Sequence, residues 1–406
     1  MASIKLKHSG GNGVIIAAPT SNPASDKTLT LPSDVDGTVV SKDSSNSLQN
    51  IAGINGGQLG NRRLTINGAM EVSQRGTSTT TNGYLIDRFT SSLGGIDQMQ
   101  FTMSQSTDAP SGFRKSLKFD ITTAETGGTG SDEYAMVRYI TESQDIAHFL
   151  YGTSGAKTIT LSFHVKAYQT GTYALNLFVG DSGRSYTANY TISQSATWEK
   201  KTLTFVGDTG GSEVNVDNGH GLYINWFMAS GTDYKSSNAH FNQWGTLGSA
   251  TGWAYGHNVD LLNSTDNYFQ LAGVQLEVGS VATDFEHKSF AQELQLCRRY
   301  YILWIEGDQK FVCFGDHYSA TQVDGGVQLP VEMRTTPTID ANTGGNYYIV
   351  YSAGGSCHID GSLTSYKTNK NAVLWYATGD SSRTPGHANR WISDNASAKI
   401  AFSAEL

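Results

Sequence analysis

Aromatic and amide side chains crowd one stretch of this sequence, and their chemistry is stacking and hydrogen bonding rather than bond breaking. Trp244, Trp253 and Tyr255 fall within residues 238–258, a loop-like run rich in Gly, Ser and Asn that also holds Asn242, Gln243 and His257. A flat ring there can stack on the apolar face of a sugar while the amides or the imidazole hydrogen-bond its hydroxyls. The same rings could instead fold inward and pin the loop, and both arrangements stay open. A second set lies further on: Trp375, Tyr376, Arg383, His387, Arg390 and Trp391. Residues 380–389 (DSSRTPGHAN) read as a polar loop between strands. A terminal-domain loop presenting Arg383, His387, Arg390 and Trp391 is a natural place for contact with another molecule. A solvated loop over a small β-domain is the alternative. Trp226, inside the alternating run YINWFM, and Trp198, which begins a strand, read as core or sheet-face residues.

Catalytic patterns are weak by comparison. Residues 180–183 (GDSG) match part of a serine-protease nucleophile segment, but Arg184 and Ser185 follow, no matching histidine segment precedes, and the run sits between two alternating stretches as a turn. No nucleophile elbow, phosphate loop or zinc-protease helix is present. The ten histidines are scattered, and Cys297, Cys313 and Cys357 lack metal-site spacing. Their odd number argues against a complete disulfide framework and for folding in a reducing cytosol. A carboxylate pair for glycoside hydrolysis is not readable from one sequence, but the coil repeat of a β-solenoid depolymerase is missing, so the expectation is a binding protein, not an enzyme. A net charge of −8 with no basic stripe disfavours nucleic acid as a partner. The apolar run 14–18 is too short for a signal-peptide core, and no segment approaches a membrane span. Work outside a cell would then require release by lysis or another non-secretory route.

The elements that must position these residues are strands. Charged residues make up only 16% of the chain while Gly, Ser, Thr, Asn, Tyr and Phe abound, the balance of short strands joined by many turns. The glycines show no three-residue period, which excludes a collagen-like stalk. Residues 1–62 form a low-complexity leader whose short alternations, Ile4 with Leu6 and Val14 with Ile16, look like strands in need of partners. It is expected either to anchor the chain in an assembly or to be a loose tail. Within 63–286, residues 158–168 (TITLSFHVKAY) place Ile159, Leu161, Phe163 and Val165 on one face, and runs at 173–179, 198–206 and 222–228 repeat the pattern. Antiparallel strands without interleaved helices predict a β-sandwich. Residues 287–303 hold a helix predicted over 289–301, with Ser289 as N-cap, Gln292 completing a capping box, and Phe290, Leu294, Cys297 and Tyr301 as one apolar stripe. So short a helix needs a partner surface. Residues 304–406 return to strands and predict a small C-terminal β-domain.

Two segments carry a resemblance to known proteins. Residues 67–73 (NGAMEVS) with Asp87, Arg88 and Phe89, and residues 273–301 (GVQLEVGSVATDFEHKSFAQELQLCRRYY), resemble tail-fibre and other virion structural proteins of phages, notably those infecting marine bacteria. The phrases 28–32 (TLTLP) and 403–406 (SAEL) look similar too. The body between them is similar to the jelly-roll carbohydrate-binding modules of polysaccharide-degrading enzymes, through its strand order, Thr197, Trp198 and Glu199 opening a strand, and the closing Gln275, Leu276 and Glu277. The resemblance implies a mainly β chain with a jelly-roll body, assembled in a host cytoplasm into a virion and released by lysis. It further implies attachment to host surface polysaccharide, contact with other virion proteins through the leader, and a homotrimer held by the stripe Phe290, Leu294, Cys297 and Tyr301. A head fibre, decoration or tail adaptor without glycan contact is the competing role. Such modules often hold a structural calcium ion, for which no complete ligand set is visible here; no other cofactor is implied.

Overall fold

In the computed structural model the described residues are 62–246 and 250–406, with the strands Ser3–Lys7 and Gly13–Ala17. The chain divides into one unit of Met1–Ile51 and another of Ala52–Leu406. In the first, the two strands pair antiparallel with Ile4 opposite Ile16 and Leu6 opposite Val14, so the short alternations of the leader find partners in each other. The rest of the leader up to residue 61, and with it the anchoring role, lies outside the described residues.

The second unit is mainly β and opens with a jelly-roll sandwich. One six-stranded antiparallel sheet runs in the order Gly245–Thr246, Arg184–Ile192, Gly171–Val179, His220–Ser230, Tyr134–Glu142, Phe89–Gly94. The other runs Glu199–Phe205, Ile159–Ala167, Tyr268–Val278, Ser116–Thr123, Gln100–Ser106, Ser78–Thr79. Because side chains alternate across a strand, Ile159, Leu161, Phe163 and Val165 all point into one core. There they meet Leu175, Leu177, Ile224 and Trp226 of the facing sheet. Segment 62–72 lies along the last sandwich strand, Leu64 N–H donating to Leu276 O and Val274 N–H to Gly68 O. A Cβ on Gly68 would fall 2.0 Å from the Val274 carbonyl oxygen, so this close backbone approach requires glycine.

The helix spans Phe290–Arg298 with Ser289 as N-cap and both halves of the capping box formed with Gln292. The predicted stripe needs correction. Tyr301 lies beyond the helix, beginning the strand Tyr301–Glu306, and is buried with its hydroxyl on Asp340. Cys297 is buried against its own chain, Leu294 is half-buried, and Phe290 is 58% exposed. The inward face is set instead by Glu293, which pairs with the buried Arg63 and accepts the Asn67 main-chain N–H.

Beyond the helix lie a three-stranded sheet, Tyr301–Glu306, Lys399–Ser403, Thr338–Ala341, and a seven-stranded one. The latter runs Gly355–His358, Tyr348–Ser352, Ala388–Ser393, Phe311–His317, Gln322–Gln328, Ala372–Thr378, Thr364–Asn369. They share a second core centred on Trp375, Trp391, Val312, Tyr348 and Phe402.

Of the segments that carried the resemblance, 28–32 lies outside the described residues; parts of the others converge where these two cores meet. The Asn67 side chain ties the backbones of Val72 and Asp87 together. Glu142, ending a sandwich strand, accepts two bonds from Arg299 at 2.6 and 2.8 Å and one from the Tyr300 hydroxyl at 2.6 Å. Burial would raise the Glu142 pKa, but these hydrogen bonds outweigh it and hold the carboxyl below its usual range. Arg88, fully buried, lies over the Tyr300 ring and pairs with Glu405, while Arg334 caps Ala404 O and Glu405 O and reaches Asn218 O in the sandwich. Charge-assisted bonds of this kind are the stronger ones, so these motifs fasten the C-terminal sheets to the sandwich.

Candidate functional site

Segments 231–246 and 250–258 cover part of the outer face of the first sandwich sheet, and their large rings turn inward. Trp244 donates its indole N–H to Val206 O at 2.7 Å and stands edge-on to Tyr151 and Tyr186. Trp253 packs against the small outer core of Met136, Ala174, Phe227 and Ala254. His257 is buried, accepts the Ala174 main-chain N–H at 3.1 Å, and burial pulls its pKa down to about 3, so it is a neutral structural group. Tyr255 is half-buried beside Phe241; Asn242 and Gln243 are exposed, Asn242 in a left-handed turn at φ 55. Of the rings Trp244, Trp253 and Tyr255 expected as a stacking platform, Trp244 and Trp253 take the inward-folded alternative, and with the buried His257 they form a plug. The signal lay in the strands below: WFMA at 226–229 and AMV at 135–137 are continuous apolar runs, which indicate burial on both faces.

The second predicted set separates. Trp391 is fully buried in the C-terminal core, edge-on to Trp375 at 6.0 Å with its N–H on Asp324 O at 3.2 Å. Placing it on a tip loop is corrected by alternation in the strand Ala388–Ser393, which turns Asn389, Trp391 and Ser393 inward and Arg390 outward. Arg383 is half-buried and its N–H donates to Ala320 O. His387 is half-buried with its carbonyl accepting from His317 N–H.

Arg390 is the predicted residue that leads to a site. On the outer face of the seven-stranded sheet it sits directly opposite Tyr351 on one neighbouring strand and Phe314 on the other. Its guanidinium lies 5.3 Å from the Tyr351 ring centre, and Phe314, 73% exposed, packs against the exposed Phe311 at 5.0 Å. Two strands further, Gly326 opposes Leu374, which opposes Tyr366. Gly326, having no side chain, leaves a floor between Phe314 and Leu374. The resulting groove of about 350 Å³ is lined by Phe314, Asp316, Asp324, Gln328 and Tyr366.

Asp316 and Asp324 face each other across the strand pair, an arrangement of like charges that costs stability. Asp324 is held in place by the Gln322 amide at 2.8 Å and by the Tyr366 hydroxyl. The bond to Asp324, with some burial, pushes the Tyr366 pKa up to about 12, so the phenol stays a donor. A wall of rings, a fixed cation at one end and hydroxyl-accepting carboxylates at the other suit a sugar chain lying across the strands. Reasoning by residue type missed Phe311, Phe314, Tyr351 and the carboxylates, because only the register puts them on one face.

A metal ion has one cluster of carboxylates to consider among the described residues. Oxygens of Asp97, Glu125 and Glu133 lie within 4.8 Å of one another, a donor set of the type calcium takes. Glu125 accepts main-chain N–H groups of Gln98 and Met99, and Glu133 that of Gly130, so both buried carboxylates already have protein partners.

No protein-family model matches the chain, and no curated protein matches it in sequence. Similar solved structures include the enzymatically active domain of bacteriophage CBA120 tailspike protein 4, at 14% identity over 53% of this chain with TM-score 0.29. The match spans only 21% of that tailspike chain. A family 4 carbohydrate-binding module matches at 12% identity over 52% of this chain and 97% of its own, TM-score 0.27. The family 11 module of Clostridium thermocellum Lic26A-Cel5E matches at 11% identity over 52% and 98%, TM-score 0.26. Similarities at this level carry no functional weight, and the reading below stands on the geometry of this chain.

Proposed function

We propose that this chain is a non-enzymatic attachment protein of a phage particle, and that it holds host surface polysaccharide on the outer face of its seven-stranded sheet. The observation that carries the binding face is the line Tyr351, Arg390, Phe314 running into the glycine-floored groove beside Asp316 and Asp324. Large rings left in water at adjacent positions of a regular sheet signal an interaction surface. The virion setting rests on the resemblance of residues 67–73 and 273–301 to phage structural proteins. On this reading the sandwich, with part of its outer sheet face plugged by its own loop, is a spacer. The test is retention of the full chain on bacterial surface polysaccharides, with Phe314→Ala combined with Tyr351→Ala. Binding should fall at least tenfold with the melting temperature unchanged, because both rings are exposed. Undiminished retention would remove this face from the function.

The homotrimer belongs to the same proposal, with its contact moved to the exposed side of the helix. Phe290 and Leu296 are exposed there beside a groove lined by Ala291, Gln292 and Gln295. Phe290→Asp should shift the sedimentation coefficient of the full chain to that of a monomer. A monomeric wild type would end the trimer reading.

A further inference from the structure

We propose, resting on the attachment reading of this same face, that its ligand is an acidic polysaccharide. An anionic substituent sits on Arg390 between Tyr351 and Phe314, and an uncharged, hydroxyl-bearing residue of the same polymer sits against Asp316 and Asp324.

The argument begins with how this chain treats its arginines. Arg63 pairs with Glu293, Arg88 with Glu405, Arg184 with Asp208 and Arg299 with Glu142. Arg138 and Arg334 have no carboxylate but bond Asn225 and main-chain carbonyls. Arg390 is an exposed arginine with neither kind of partner among the described residues, and its charge lies over the Tyr351 ring. Stacking fixes the plane of a guanidinium while leaving its N–H donors free, and that fork matches a carboxylate or phosphate. A merely solvating charge would gain nothing from a largely exposed phenylalanine directly across the strand pair, and Phe314 occupies that position.

The other end of the groove excludes the opposite choice. Asp316 and Asp324 repel an anion, yet their oxygens accept hydrogens from sugar hydroxyls, and the Gln328 amide lines the same groove. From the Arg390 strand to the Asp324 strand is two sheet spacings, about 10 Å. The ligand must therefore carry its negative group on one residue and leave uncharged the residue about 10 Å away. A polymer charged at every position would meet the two aspartates. Because the chain as a whole carries a charge of −8, the attraction is confined to this strip, and added salt should weaken it.

A carboxylate from a uronic acid and a phosphate diester offer the same chemistry, and the experiment separates them. Purified bacterial surface polysaccharides are arrayed in native form, after carboxyl reduction, and after dephosphorylation with hydrofluoric acid, and are probed with the full chain and with Arg390→Gln. Expected is retention of native acidic polymers that falls at least tenfold on the neutralising treatment, with loss on carboxyl reduction identifying uronate and loss on dephosphorylation identifying phosphate. Arg390→Gln should lower native binding to the treated level with an unchanged melting temperature. Equal retention of native and neutralised polymers, abolished by Phe314→Ala with Tyr351→Ala, would overturn the acidic class while leaving the attachment face standing. No retention of any polymer above that double variant would overturn both.

Discussion

Replacing Glu405 by Gln tests whether the C-terminal sheets are fastened to the sandwich by buried charge. The substitution keeps the shape but replaces one of the two oxygens that accept from Arg75 and Arg88 by an amide NH2, and it removes the negative charge facing Arg88, whose side chain is 1% exposed and whose charge burial alone would suppress. Glu405, together with the hydroxyls of Tyr300, Tyr139 and Tyr84, more than offsets that penalty and keeps the guanidinium ionised. Breaking a buried pair by removing one partner costs roughly 3–5 kcal/mol. Part is recovered, because Arg88 still donates to Ile140 O and lies 3.5 Å from the Tyr300 ring centre, contacts worth about 1–2 kcal/mol. The expected loss is about 2–3 kcal/mol in urea unfolding followed by tryptophan fluorescence. Arg88→Met on top of Glu405→Gln should cost less than the sum of the two single changes, since the second removes the stranded charge. A loss under about 1 kcal/mol, or strict additivity in the double variant, would refute the reasoning and leave the junction to apolar packing.

Asp87 gives the junction a pH dependence of known sign. Burial raises its pKa from 3.8 to about 6, with the Gln74 bonds and Arg75 opposing. A carboxyl raised in the folded state contributes fully below pH 3.8 and loses that contribution as pH climbs through 6, a difference of about 3 kcal/mol. Asp87→Asn should therefore flatten thermal stability between pH 4 and 7, and an unchanged slope in the variant would contradict this. Glu142 acts in the opposite sense: its pKa is lowered, so its contribution holds above about 4.5 and disappears as the medium becomes more acidic. Trp253→Ala should cost about 2 kcal/mol by uncovering Met136 and Phe227; an unchanged melting temperature with lost polysaccharide binding would restore the platform reading of that loop.

The two-sheet body was legible because its strands announce their period. Ile159, Leu161, Phe163 and Val165 alternate without interruption, and a period of two with one apolar face admits little else. The capping box at Ser289 and Gln292 was equally local, a matter of two residues three apart. What failed was inference by residue type. Trp244, Trp253 and Trp391 drew attention as large rings near polar loops, yet the largest rings have the most to gain from burial, and all three pack inward. The exposed face depends instead on phase. A bulge between Phe311 and Cys313 sends Val312 and Cys313 both inward and leaves Phe311 and Phe314 both outside, and nothing in the run FVCFGDH marks where alternation slips. Arg390 was singled out as a loop residue; in the structure it lies on the strand Ala388–Ser393.

The division between junction and face has a physical consequence for how such a chain can change. At the junction, Asn67, Arg88, Glu142, Glu293, Arg299 and Glu405 hold one another across the two cores, and removing one leaves a buried partner unpaired at a cost of several kcal/mol. On the outer face of the seven-stranded sheet, Phe314, Tyr351, Tyr376 and Arg390 project into water, where single substitutions typically alter stability by no more than about 0.5 kcal/mol. On the attachment reading, such a chain can exchange its ligand chemistry residue by residue while the junction tolerates little change. Residues 67–73 and 273–301, on which the sequence resemblance was read, are then fastenings, and on the attachment reading the residues that decide what the chain holds lie outside them.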